Sequence, residues 1–239
     1  MCGLTGYIGG EWPNGFEGAE NQLKLMSEAI KHRGPNFSGT WIDQDHGIAF
    51  AHRRLSILDL SDNGNQPMFS SSKRFVILFN GEIYNHLSLR AELEKNNSVP
   101  DWNGHSDTET ILAYIENYGF SKTLKNCVGM FAIALLDRKE KVLYLARDRI
   151  GEKPLYYGWQ KNAFLFGSEL KALKAHSDFI GEISRKANSN LVNVFIPTTP
   201  NPTSGFLLMF PKEEVIYLDL TFEEASKFIV SAGTSNPKN

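Results

Sequence analysis

The sequence predicts a layered α+β fold, and three observations carry that prediction. Short β-rich runs alternate with helical ones from Gly3 to about Ala175. MFAIALLD and KVLYLARD flank DRKEK as a hairpin, and LYYGW with AFLFGS makes a second antiparallel pair. Many antiparallel strands with a few helices between them place helices against sheets in layers.

The elements follow in order. GLTGYIG is a strand that starts almost at the first residue. NQLKLMSEAIKH sets Leu23, Met26, Ala29 and Ile30 at helical spacing, and HRGP ends it. IAFAHRRLSILDL and RFVILFN read as strands, and HLSLRAELEKN as a helix. HSDTETILAYIENYG carries Ile111, Leu112, Ile115 and Tyr118 on one stripe, a second helix. After the two hairpins, ELKALKA closes this half as a helix.

Residues 191–239 change character. VFIPTTPNPTSGF is rich in Pro and Thr, which favours extended and turn structure over helix. FLLMF and VIYLDL read as strands. TFEEASKFIVSAG carries Thr221 and Glu224 in capping-box spacing and Gly233 as a stop. A β-β-α unit of this size is small for an independent core.

Composition narrows the function. The 239 residues are 41% hydrophobic and 22% charged, with a net charge of -2. Nothing in that balance attracts nucleic acid or an anionic membrane. Cys2 and Cys127 form neither a disulfide framework nor a zinc-ligand spacing, which suits a reducing compartment. There is no signal-peptide pattern, and no apolar run approaches the ~20 residues that span a bilayer. The chain reads as soluble and cytoplasmic, without a metal.

Four stretches carry candidate chemistry. In MCGLTGYIGG, loss of Met1 would leave Cys2 with a thiol and a free α-amine. Such an amine titrates near pH ~8 and can act as base for its own nucleophile. Gly3 and Gly6 would allow close backbone approach to the thiol. In FNGEIYN, Asn80-Gly81 between apolar runs is a strong hairpin signal. The same pair could equally aim an amide and a backbone N–H at a developing oxyanion.

In AHRRLSILDL, alternation sends one of Arg53 and Arg54 to solvent and the other inward, where it could grip a carboxylate. Spacing alone does not say which. In HSDTE, Ser106 and Glu109 form a capping box with Asp107 in the first turn. That acid could also receive an ammonium group.

MCGLTGYIG, HRGPNFSG, AHRRLSILDLS, NGEIYNH, GHSDTETIL, ARDRIGEKPLYYG and FGSELKAL occur here in one order. Together they resemble the N-terminal glutaminase domain of glutamine-hydrolysing asparagine synthetases, class II glutamine amidotransferases of the N-terminal nucleophile hydrolase type. The resemblance covers residues 2–185. It implies a four-layer αββα sandwich and a catalytic group of Cys2, Asn80 and Gly81. Cys2 would attack the glutamine amide, and the other two would form the oxyanion hole. It implies substrate binding by Arg54 to the α-carboxylate, by the backbone of Leu55, Ser56, Ile57 and Leu58, by Glu82, and by Asp107 to the α-ammonium. Asn36 departs from the family, which usually has Asp there; a loop effect with little chemical consequence is expected.

The resembled enzymes carry a second domain that uses ATP and magnesium to make asparagine from aspartate. Its Ser-Gly-Gly-x-Asp-Ser loop has no counterpart here; VSAGTS lacks the glycines and the aspartate. Past a junction at 186–190, residues 191–239 resemble the C-terminal soluble part of an uncharacterised bacterial membrane protein family. Three readings follow. One is a glutaminase that needs no cofactor and supplies ammonia to a separate synthetase. Another is a truncated or chimeric product of an asparagine synthetase gene. The third is a non-catalytic glutamine-binding module.

Overall fold

The computed structural model describes residues 1–10, 12, 15–56, 61–96, 100–180, 191–198 and 201–211. The chain divides into two compact units, Met1–Gly181 and Glu182–Asn239.

In the first unit, one antiparallel sheet contains β1 (Gly3–Gly9), β2 (Phe37–Asp43), β3 (Ile48–Arg54), β8 (Tyr156–Gln160) and β9 (Ala163–Gly167). Their spatial order is β2-β3-β1-β9-β8. The second sheet runs β4-β5-β6-β7, formed by β4 (Met68–Phe69), β5 (Phe75–Ile83), β6 (Gly129–Asp137) and β7 (Val142–Arg147). Helices α1 (Gly15–Ala29) and α5 (Leu170–Lys174) cover the first sheet. Helices α2 (His86–Lys95), α3 (Asp107–Tyr118) and α4 (Phe120–Asn126) belong to the layer outside the second.

Strand periodicity makes these layers. Leu4, Phe50, Val76, Leu78, Ala132, Ala134 and Phe166 meet between the sheets. Their neighbours alternate outward: Tyr7, Ala49 and Ala51 against Leu23 and Met26 of α1, and Ile77, Ile133 and Leu135 against Ile111 and Ile115 of α3. Burial on both faces is why the strands read as almost continuous apolar runs. The result is the αββα sandwich.

Several local expectations change. Asn80-Gly81 makes no turn: β5 continues through it, with Asn80 opposite Ala132 and Gly81 opposite Phe131. A Cβ at Gly81 would lie 2.2 Å from the Met130 carbonyl oxygen, so glycine is required by the approach of β6. β3 stops at Arg54, short of the strand predicted through LSILDL. α1 begins at Gly15, earlier than the pattern from Asn21. β2, β4 and α4 were not anticipated; α4 follows directly on Gly119, whose φ of +80° ends α3.

The α3 cap forms in part as predicted. Ser106 Oγ accepts from the Glu109 amide at 3.2 Å. The Glu109 carboxylate, however, accepts from the amides of Asn103 (2.7 Å) and Gly104 (3.0 Å), so it orders the entry loop as well.

In the second unit, β10 (Leu191–Thr198) and β11 (Asn201–Pro211) form an antiparallel hairpin, irregular between Pro197 and Thr198. FLLMF lies in β11, and its partner is LVNVFIPT, part of the Pro/Thr-rich stretch. A two-stranded sheet has only edges, where proline is tolerated. VIYLDL, the helix predicted after it and the junction at 186–190 lie outside the described residues.

Candidate functional site

Strand alternation turns Cys2, Leu4, His52, Arg54, Asn80 and Glu82 toward the space between the sheets. At one end of that space, apolar packing gives way to a cavity of about 140 Å³. Cys2, Arg54, Leu55, Asn80, Gly81, Glu82 and Asp107 all line it. Ser56 stands apart, its amide donating to Asn36 Oδ1 at 3.1 Å. Ile57 and Leu58 lie outside the described residues.

Cys2 sits half-buried just before β1. Its Sγ accepts from the Leu55 amide at 3.3 Å and faces the Leu55 carbonyl at 3.5 Å. Arg33 Nε donates to the Cys2 carbonyl at 2.9 Å, and Arg33 Nη1 donates to Glu169 at 3.0 Å. Burial opposes ionisation of Glu169, but hydrogen bonds from Lys171, Arg33 and His32 bring its carboxyl down to about 2. A permanent carboxylate therefore holds the arginine that holds Cys2. Gly3 gives room to the Arg33 side chain that holds Cys2, its Cβ position lying 3.3 Å from Arg33 Cδ, while Gly6 serves the packing of the strands. A Cβ at Gly6 would strike the Phe166 ring at 2.5 Å and the Ala49 carbonyl at 2.6 Å.

Both arginines of the pair are buried, so neither points to solvent as alternation predicted. Arg53 turns to the helix side, where its Nε donates to Ser27 Oγ at 2.8 Å and its Nη2 pairs with Glu28. Arg54 turns into the cavity, where Nη1 donates to the Ser61 carbonyl at 2.7 Å and to Asn65 Oδ1 at 2.8 Å. Its guanidinium lies over Gly64, where a Cβ would be 2.2 Å from Nη2. Of the two, Arg54 is the one that lines the cavity.

Asn80 is buried, and among the described residues its Nδ2 is without a hydrogen-bond partner. An amide donor left so beside a cavity incurs a desolvation cost that a ligand oxygen would relieve. Asp107 opens α3, buried, with Oδ1 accepting from the Thr108 amide at 2.8 Å and Oδ2 from the Ile83 amide at 3.0 Å. Burial raises its pKa, and these two N–H bonds offset part of the rise. Its carboxylate therefore faces the site already oriented by backbone.

Residue-level reading missed further lining groups: Met1, Gly64, Gln66, Thr108, Met130 and Lys153. Lys153 is buried, and its Nζ reaches Met1 Sδ at 3.2 Å. It lies in ARDRIGEKPLYYG, a stretch recognised as a motif without a role for its lysine. Asn36, the family departure, keeps an acceptor on the segment that contacts the thiol. Among the described residues no group of three or more His, Cys, Asp or Glu could hold a metal ion. No helix among them is long and apolar enough to cross a membrane.

Comparisons with known proteins point to one family. The glutamine amidotransferase domain family matches residues 1–218, which extends beyond the first compact unit and beyond residue 185. A putative glutamine-hydrolysing asparagine synthetase of Methanocaldococcus jannaschii is 37% identical over 95% of this chain and 46% of its own length. Asparagine synthetase 2 of Bacillus subtilis is 40% identical over 74% of this chain and 22% of its own. This chain therefore spans less than half of either relative. A solved glutamine phosphoribosylpyrophosphate amidotransferase of Bacillus subtilis superposes with a TM-score of 0.59 at 21% identity, covering 73% of this chain and 43% of that one, which shows a shared fold.

Proposed function

This chain belongs to the glutamine amidotransferase domain family, and from that premise we propose that its cavity hydrolyses L-glutamine to L-glutamate and ammonia. One observation supports the reading above the others. A single cavity joins the Cys2 thiol, the unpartnered Asn80 amide, and the opposite charges of Arg54 and Asp107.

Once Met1 is removed, the Cys2 α-amine takes the thiol proton as sulfur attacks the side-chain carbonyl carbon. Asn80 Nδ2 and the Gly81 N–H stabilise the oxyanion of the tetrahedral intermediate. That intermediate collapses as the C–N bond breaks and the amine returns its proton to the leaving nitrogen, giving ammonia and a γ-glutamyl thioester. Water then adds to the thioester, the amine relays the proton, and glutamate leaves as the thiol is regenerated. Arg54 grips the α-carboxylate and Asp107 the α-ammonium, with Glu82 and the backbone of 55–58 completing the contacts. Holding both ends of the amino acid supplies orientation and rejects amides that lack those charges.

These steps draw only on groups of this chain. ATP and magnesium belong to asparagine formation in a synthetase domain or subunit, the proposed consumer of the ammonia. We assign hydrolysis to the domain over 2–185 and no role in it to 191–239. A second reading is a glutamine-binding module, since the opposite charges of Arg54 and Asp107 in one cavity would serve recognition without turnover. In a chain that keeps Met1, the Cys2 amine is acylated and glutamine would bind without turnover.

The test is glutamate release from glutamine by purified protein whose intact mass shows loss of Met1, beside a Cys2→Ala control. Turnover abolished in the control supports the enzyme reading. Saturable glutamine binding without turnover in processed, folded protein would replace it with the binding module.

A further inference from the structure

Beyond the cavity wall, a two-residue strand leaves a gap that side chains close. β4 pairs only Met68 with Ile77 and Phe69 with Val76. Two residues further along β5, the Phe79 N–H donates to Gln66 Oε1 at 2.6 Å. The Phe79 carbonyl faces His52 Nε2 at 3.1 Å, across from the other sheet. Both side chains are buried, His52 completely. Burial brings the His52 pKa down to about 4, so the ring is neutral near pH 7, and the carbonyl acceptor places its proton on Nε2.

The bonds continue past Phe79. Gln66 Nε2 donates to Thr108 Oγ1 at 3.4 Å, and the Thr108 amide donates to Asp107 Oδ1 at 2.8 Å. β3, β5 and the N-terminus of α3 are thereby joined around Phe79, at the peptide before it and at the peptide that links it to Asn80. That peptide sets the direction of the Asn80 side chain, whose Nδ2 is unpartnered among the described residues.

We propose that His52 and Gln66 are positioning residues: they replace the missing continuation of β4 and lock the two peptides flanking Phe79, Gln66 the one before it and His52 the one that leads to Asn80, so that Asn80 Nδ2 points at the developing oxyanion. The inference rests on the hydrolysis proposed above. An oxyanion donor contributes about 10²–10³ in rate, and misplacement by ~1 Å can lose about a hundredfold. His52 does not line the cavity, and Gln66, which does, has both its amide atoms engaged by Phe79 and Thr108. Their effect belongs to kcat, not to recognition of the amino-acid end.

The experiment compares His52→Leu, which removes the donor, with His52→Gln, which restores an N–H at similar reach. Gln66→Met, lacking the acceptor, is paired with Gln66→Glu, which keeps it. In His52→Leu and Gln66→Met, kcat for glutamate release should fall about 30-fold or more, with KM within about threefold. His52→Gln and Gln66→Glu should recover most of the loss.

Glutamate γ-semialdehyde gives a second readout. The Cys2 thiol adds across its carbonyl, forming the S–C bond while the thiol proton passes to oxygen, and nothing leaves. Affinity for this aldehyde should fall in step with kcat, while affinity for glutamine on a Cys2→Ala background should not change. A kcat that stays at wild-type level in folded His52→Leu and Gln66→Met would overturn the inference. So would kcat and glutamine affinity falling together.

The ¹⁵N resonance of the Asn80 side chain separates this inference from the function it rests on. If the parent protein releases no glutamate, hydrolysis is refuted. Positioning is then decided by whether that resonance moves in His52→Leu and returns in His52→Gln. If His52→Leu does not fold, Gln66→Met and Gln66→Glu carry the same comparison.

Discussion

Arg33 Nε donates to the carbonyl oxygen of Cys2 at 2.9 Å, so the residue bearing the proposed nucleophile is pinned by a side chain from the short helical turn after α1. Position two of a chain is ordinarily among its most mobile. Here β1 on one side and Arg33 on the other remove that freedom, and Glu169 fixes Arg33 in turn. Arg33→Met keeps the apolar stem and removes the donors. We expect kcat/KM for glutamine hydrolysis to fall tenfold or more, about 1.4 kcal/mol of transition-state stabilisation per decade. Glu169→Gln, which retains one acceptor, should lose less. Steady-state glutamate release from Met1-processed protein checks both.

Asn80→Ala removes the unpartnered amide without touching Arg54 or Asp107. Loss of one oxyanion donor predicts a fall of about 10²–10³ in kcat with KM nearly constant. Its stability cost should be small, because Nδ2 has no partner among the described residues to lose. A urea titration beside the kinetics reads that second half. If Asn80→Ala weakened glutamine binding and left kcat intact, Asn80 would be a recognition residue instead.

Gly64→Ala tests Arg54 from behind. The added methyl would meet Nη2 at 2.2 Å and Cζ at 2.8 Å, so the guanidinium must move. Arg54 would also lose its alignment on the Ser61 carbonyl and Asn65. Because Arg54 is proposed to hold the α-carboxylate in ground and transition states alike, KM should rise at least about tenfold with a smaller change in kcat. Kinetics over a wide glutamine range would show it. An unchanged KM would place the carboxylate elsewhere in the cavity.

The sandwich was legible because its strands and helices carry strong local signals. FVILF, FAIALL and AFLFG are buried on both faces, and Ile111, Leu112 and Ile115 mark α3 by spacing. What the sequence concealed depends on partners distant along the chain. Asn80-Gly81 has turn chemistry, yet tertiary pairing with β6 overrides it, and the glycine is there for Met130 and Phe131. Arg53 is buried because Ser27 and Glu28 of α1 satisfy it, a contact invisible to strand alternation. β2 reads FSGTWID, without a continuous apolar run, since as an edge strand it is buried only in part. In the site, Cys2, Arg54, Asn80, Gly81 and Asp107 were each ambiguous alone, and their motif order singled them out. Gln66, Lys153 and His52 carried no local pattern; only the folded geometry gives them a place.

His52 also sets an acid limit on stability. Its pKa in the folded protein is about 4, against 6.5 for an ordinary histidine. The unfolded chain therefore takes up this proton first, and the contribution of the neutral buried ring is complete above pH 6.5. It is lost as pH falls toward 4, and at pH 5 the loss is about 2 kcal/mol. His176, lowered by burial, contributes in the same direction, whereas Asp107, raised by burial, opposes it. Glu169, held down at about 2, loses its contribution as pH falls from about 4.5 toward 2, mostly below the pH 5 of this comparison. The effect of His52 is isolated by comparing the parent with His52→Gln, since the other groups are common to both. Urea midpoints at pH 7 and pH 5 should converge between the two proteins as pH falls, because only the parent must protonate a buried imidazole on unfolding. An equal drop in both midpoints would mean that His52 is not buried neutral, and its bond to the Phe79 carbonyl would have to be redrawn.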